Sequence, residues 1–311
     1  MVVFRYDKTF EGLLTALFDA YFRRTFPDLL LGDGDSLPLF VTECHTVATD
    51  SEKSGRVWRA LQKSLPDNVC NMLVMGWLSE EPGVDMMLMR YMRHAFSSPS
   101  GSSGGQNADS SRNGDSGKGG GRKAKTNSVA TDFSNPDILR IKQLAQKVAN
   151  EREHLMQFTR FQKSADAPDD TSGNGRSELC YAENESETAE SISAGAGATY
   201  FAPVSPRYNA LPLAIPYFRD RFRDQRWLIY DIKRRYGYYY DLQNVTEVTM
   251  DDDAHLLDGQ LDEAMMAEDE KLFQELWRTY FHSMAIAERI NPRLQRQHMP
   301  RRFWPLLTEK P

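Results

Sequence analysis

Residues 218–240 read FRDRFRDQRWLIYDIKRRYGYYY. Within them RWLIYD and YGYYYD flank a basic turn, which predicts a β-hairpin over 226–240 with a third strand near 244–249. Seven cations (Arg219, Arg221, Arg223, Arg226, Lys233, Arg234, Arg235) stand among eight aromatics (Phe218, Phe222, Trp227, Tyr230, Tyr236, Tyr238, Tyr239, Tyr240). Cations neutralise phosphates, and flat rings stack on bases at about 1–3 kcal/mol per base, so a surface of this composition suits nucleic acid. The plainer reading of the same residues is a sheet with its rings inward and solvated charges outward.

Outward from the hairpin, the pattern predicts an α+β fold: a small antiparallel sheet, made of the 226–249 hairpin and short strands, packed with several helices. VVFRY at the N-terminus alternates like a strand, and Asp7 or Thr9 is placed to cap a helix over TFEGLLTALFDAYFRR. LPLFVTE (37–43) is expected as a strand, and 52–65, 67–79 and 83–96 as helices. Asn135-Pro136 opens a long helix through about Thr159. TYFAPV is expected as a strand, and LPLAIPYFRDRF as a short helix interrupted or started by Pro216. A long C-terminal helix over 269–290 has Glu268, Asp269 and Glu270 at its positive end and Asn291-Pro292 as its stop. Two stretches, about 97–131 and 164–199, are too rich in Gly, Ser and Ala to repay ordering and are expected to be disordered insertions. One α+β domain over 1–311 that tolerates both is the expected organisation.

The net charge of −6 hides an uneven distribution. Residues 166–190 carry −7 and residues 247–270 carry −10, which leaves the remainder of the chain net positive. A phosphate-binding face is therefore permitted. Cys44, Cys70 and Cys180 form no CxxC pair and no disulfide framework. With no secretory leader and no apolar run long enough to span a membrane, a cytoplasmic location without membrane attachment is expected.

Chemistry of the catalytic kind is sparse. There is no GxxxxGK[ST], no GxGxxG after a strand, no GxSxG elbow between a strand and a helix, and no HExxH. Glu43-Cys44-His45 is a tempting trio, but successive residues of a strand point to opposite faces. No metal site and no cofactor are expected. On the C-terminal helix, at about 100° per residue, Arg278, His282 and Arg289 share a polar side opposite Phe273, Trp277, Tyr280, Phe281 and Met284. That polar group could clasp a phosphate or be an ordinary solvated face. Beyond it, NPRLQRQHMPRRFWP adds Arg293, Arg296, Arg301 and Arg302, with His298, Phe303 and Trp304, and no acid. Candidate nucleic-acid contacts are therefore Arg226, Trp227, Arg234, Arg235, Tyr238, Arg278, Arg289, Arg293, Arg296, Arg301 and Trp304. Were the chain an enzyme, the acid or base would come from Asp231, His282, Glu288 or His298.

Three blocks, YDKTFEGLLTALFDAY, SPRYNALPL followed by FRDQRWLIYDIKRRYGYYYD, and LWRTYFHSMAIAERINPRLQRQHMPRRFW, resemble a bacterial family of uncharacterised domains labelled as DNA metabolism proteins. The resemblance implies work beside a radical-SAM protein of DNA modification or repair. Similar domains are joined in some bacteria to a uracil-DNA-glycosylase-type domain. This chain has no CxxxCxxC of its own, so radical-SAM chemistry would belong to the partner. The leading expectation is a DNA-metabolism accessory that binds DNA without sequence preference. Alternatives are an interaction scaffold that never touches DNA, and a hydrolase or lyase acting on damaged DNA.

Overall fold

In the computed structural model the opening VVFRY forms a strand, Val2–Tyr6 (β1), at the centre of a three-stranded parallel sheet. The model describes residues 1–97, 135–164, 199–249, 256, 257, 260, 261, 266, 267, 269–284, 286, 289 and 291–309. Most of the two stretches expected as insertions, 97–131 and 164–199, lies outside these residues. The chain divides into two units, Met1–Val148 and Ala149–Pro311, and the α+β class holds for both.

In the first unit β1 is flanked by Leu29–Gly32 (β2) and Glu43–Thr46 (β3), in registers Val3↔Leu29 and Val2↔Glu43. Between β1 and β2 runs the helix Phe10–Arg23 (α1). Thr9 caps it by accepting the Gly12 N–H at 2.9 Å, and Arg24 ends it in the left-handed region at φ 57°. A Cβ on Gly12 would lie 2.1 Å from Asp7 Oδ1, so glycine is what lets the Asp7 carboxylate sit against the helix start. Ser51–Ser64 (α2), Asp67–Trp77 (α3), Val84–Ser97 (α4) and the first part of Pro136–Phe158 (α5) complete the unit. Asp50 caps α2 through the N–H groups of Glu52 and Lys53. Phe4, Leu13, Leu17, Leu61, Leu73, Leu88, Met92, Ile141 and Leu144 form one buried core.

LPLFVTE is not a strand. Leu39 and Phe40 stand in the connection, 95% and 87% exposed, and pairing begins only at Glu43. Apolar content made this run look strand-like, but a strand exists only where its backbone can pair with the free edge of β1. LLLG, which pairs with the other edge, carries no alternation that would have announced it.

The second unit centres on a five-stranded sheet, order β4-β5-β6-β7-β8: Gln162–Lys163 (β4), Thr199–Val204 (β5), Arg226–Asp231 (β6), Tyr236–Tyr240 (β7) and Val245–Val248 (β8). The hairpin and third strand are antiparallel as expected, with Trp227↔Tyr240 and Tyr240↔Val245 in register. β5 instead runs parallel to β6, joined to it by the helix Leu211–Arg221 (α6), which continues through Pro216. Because β6 is central, Trp227, Ile229, Tyr230 and Asp231 are all buried. Gly237 answers a packing demand: a Cβ there would meet the Ile229 carbonyl oxygen at 2.5 Å.

The C-terminal helix is Glu270–Met284 (α7), shorter than expected. Asn291-Pro292 does not stop it but opens another helix, Pro292–His298 (α8). Asn291 Oδ1 accepts the Leu294 N–H at 3.1 Å, and Pro292 takes the first turn, where no amide hydrogen is needed. A 3-10 helix, Arg301–Leu306, follows.

Candidate nucleic-acid interface

Among the described residues of the second unit, a dense polar network surrounds SPRYNA, residues 205–210, between β5 and α6. Asp231 ends β6 without any exposed surface. Its Oδ1 accepts the N–H groups of Lys233 and Arg234 at 3.0 and 3.3 Å, and its Oδ2 accepts Arg234 Nη1 at 2.8 Å. Burial pushes the Asp231 carboxyl up, against the opposing pull of the Arg234 guanidinium and of these N–H groups. The same guanidinium donates to the carbonyls of Pro206 and Arg207 at 3.1 and 3.2 Å. One buried ion pair thus pins the loop's backbone from the hairpin side.

A second carboxylate pins it from α5. Glu151, also buried, accepts the Arg207 N–H at 2.7 Å and a two-pronged contact from Arg302, Nε at 3.3 Å and Nη2 closer still. His154 Nδ1 lies 3.6 Å from Glu151, with its ring stacked on Phe158 and edge-on to Phe303. Further along the loop, Tyr236 donates its hydroxyl to Asn209 Oδ1 at 2.5 Å, and burial raises that phenol's pKa. Arg234 therefore grips the loop directly, and Arg302 acts on it only through Glu151.

What the loop presents outward is cationic. Arg207 is exposed, its guanidinium 5.4 Å from the centre of the Tyr208 ring. Exposed Lys233 reaches back to the Arg207 carbonyl at 3.4 Å. Among the described residues neither cation has a carboxylate within ion-pair distance. Arg207 escaped the sequence reading because it stands alone, one arginine in a turn-rich stretch. The available signal was the turn chemistry of Ser-Pro-Arg-Tyr-Asn ahead of a helix.

Several expected contacts are displaced by packing. Trp227 is fully buried between Phe218 and Tyr240, with its indole N–H unpartnered, and cannot stack on a base. Arg234 spends its guanidinium on Asp231 and the loop carbonyls, so it positions the site and does not face a ligand. Tyr238 is partly covered and donates to Glu247 at 3.1 Å. Arg226 is half-buried near Asp241, whose carboxyl is held low first by the Asn244 N–H. Arg278 donates to the Thr308 carbonyl at 3.0 Å.

Arg235, Arg289, Arg293, Arg296 and Arg301 are exposed. Among the described residues no carboxylate lies within ion-pair distance of Arg289, Arg293 or Arg296, and no contact joins them to the 205–210 network. Arg301 stands 5.7 Å from the centre of the half-buried Trp304 ring.

The acid–base candidates fare unevenly. Asp231 is sealed from any substrate by its burial and its partners. His298 is exposed on α8. Glu288 and the His282 side chain lie outside the described residues. In the first unit the Glu43-Cys44-His45 trio is split: Glu43 pairs with Arg23 at 2.6 Å, and His45 Nε2 lies 3.1 Å from Asp19 Oδ2, whose Oδ1 accepts Lys53 Nζ at 3.1 Å. Among the described residues no three His, Cys, Asp or Glu side chains come together as a metal would require, and no helix is long and apolar enough to cross a membrane.

Residues 122–309 match the model of a domain of unknown function, DUF4130. The chain belongs to the DUF4130 family. Glu151, Arg207, Asp231, Arg234, Tyr236 and Arg302 all fall within the matched residues, so the network around the loop is built wholly from the DUF4130 region. No curated protein and no solved structure matches the chain.

Proposed function

We propose that the chain binds nucleic acid through the phosphate backbone, with the 205–210 loop as the gripping element, and serves in DNA metabolism as a partner of a radical-SAM modification or repair enzyme. The observation that carries the binding proposal is the pair of outward cations, Arg207 on the 205–210 loop and Lys233 on the β6–β7 turn beside it, with the loop's backbone held by two ion pairs whose carboxylates, Asp231 and Glu151, are buried. Such pairs are weak contributors to net stability, because desolvation offsets most of their attraction. Their use on one loop backbone makes sense if the loop must hold a fixed geometry. Arg289, Arg293, Arg296 and Arg301 supply further unsequestered charge for contacts along a strand. Contacts to phosphate position a nucleic acid without reading its sequence, so weak sequence preference follows.

The partnership with a radical-SAM enzyme rests on the family resemblance alone. Copurification of that enzyme with a chain that binds no DNA would favour the scaffold reading. The hydrolase or lyase reading is weakened by the burial of Asp231.

A fluorescence-anisotropy titration of labelled single- and double-stranded oligonucleotides at several salt concentrations tests the binding proposal. Affinity should fall steeply with salt, with a log–log slope of about −0.7 to −0.9 per phosphate contacted. Absence of binding at low salt, or affinity indifferent to salt, would contradict it.

A further inference from the structure

An ordinary surface helix turns its apolar stripe to the core and its polar side to water. α7 instead leaves its apolar stripe in water, with Lys271, Glu275, Arg278 and Thr279 exposed as well. Leu272, Phe273, Leu276, Trp277, Tyr280 and Met284 are each 42–62% exposed. At about 100° per residue they fall within an arc of about 140°. The attachments of α7 to the rest of its unit are polar. Glu270 is buried and accepts the Lys163 N–H at 3.0 Å, Arg278 donates to the Thr308 carbonyl, and the Trp277 indole N–H donates to Glu309 Oε2 at 3.2 Å. Lys163 also pairs with Asp269 at 2.9 Å.

We propose that this outward face is a self-association surface on which a second copy of the chain docks through the same helix. Aromatic residues carry about 150–250 Å² each, so six large side chains at half exposure present on the order of 600–700 Å². That exceeds the few hundred Å² of contiguous apolar surface that monomers usually expose. It also approaches the roughly 800 Å² that each partner gives to a standard interface. A two-fold axis uses one patch twice, so no other surface need be invoked.

The proposal stands on the apolar face of α7 and is independent of whether the chain binds nucleic acid.

Sedimentation equilibrium of the full chain, over roughly 1–50 µM, tests it, since interfaces of this size dissociate at micromolar concentrations or below. The expected mass is twice the 35.6 kDa of one chain. Leu276→Glu and Tyr280→Glu, both at exposed positions, should each return it to a single chain with circular dichroism and melting unchanged. A wild-type chain of single mass throughout this range would overturn the proposal, even if it captured a different protein. So would a dimer that persists in both variants.

Discussion

Glu151 and Asp231 place the same demand on the fold: each is a carboxylate without water whose partners are an arginine and the backbone of neighbouring loops. Removing one member of a buried pair leaves the other uncompensated. Arg302 keeps over a third of its side chain in water, which lessens that penalty. Glu151→Gln should therefore cost about 2–4 kcal/mol in urea denaturation, whereas Glu52→Ala, which removes an exposed i,i+4 pair with Arg56, should cost under about 0.5 kcal/mol. Equal costs would mean that burial confers no special weight on Glu151.

The pH response has its own carboxylate. Burial alone would raise Glu309, but hydrogen bonds from Arg160 and Trp277 outweigh it and hold the group below its ordinary 4.5. A depressed folded value means that the stabilisation is fully present above pH 4.5 and is lost as the pH falls through the folded value. Unfolding free energy should decline with acidification below that point, and less steeply in Glu309→Gln. Identical slopes would remove Glu309 as a cause.

At the scale of elements, turns and caps were legible because their chemistry is local. Thr9 ahead of α1, the 226–240 hairpin and the start of α5 could all be read from neighbours in sequence. What local pattern could not supply was which faces a strand buries and which edge it joins. RWLIYD reads as one-sided, yet its central position buries both sides, so Trp227 became core instead of a stacking platform. Arg234 reads as a surface cation until Asp231 and the loop carbonyls are brought to it by folding. Asn291-Pro292 is a start signal that resembles a stop when a helix is expected only ahead of it. Gly237→Ala tests the hairpin's tolerance. With backbone oxygen in the way, the variant should lose about 1–3 kcal/mol, and an unchanged denaturation midpoint would show that the strands part easily.

For the whole molecule, net charge misleads and distribution informs. Acidic residues concentrate in 166–190 and 247–270, while the interval from Arg289 to Thr308 holds five arginines and no acid. The arginines concentrate in two stretches, residues 219–235 and 289–302. In the second unit Arg234 holds the backbone of the 205–210 loop directly and Arg302 supports it through Glu151. The outward charge there comes from Arg207 and Lys233. The proposed grip thus depends on one loop more than on total positive charge.

The most direct test compares oligonucleotide affinity for Arg207→Ala/Lys233→Ala with that for Arg219→Ala/Arg221→Ala, two double variants of equal charge loss. If the loop is the gripping element, the first should weaken binding at least tenfold, about 1.4 kcal/mol, and flatten the salt slope by about one for each phosphate no longer neutralised, while the second changes affinity little. Equal losses from both variants, or none from the first, would contradict it.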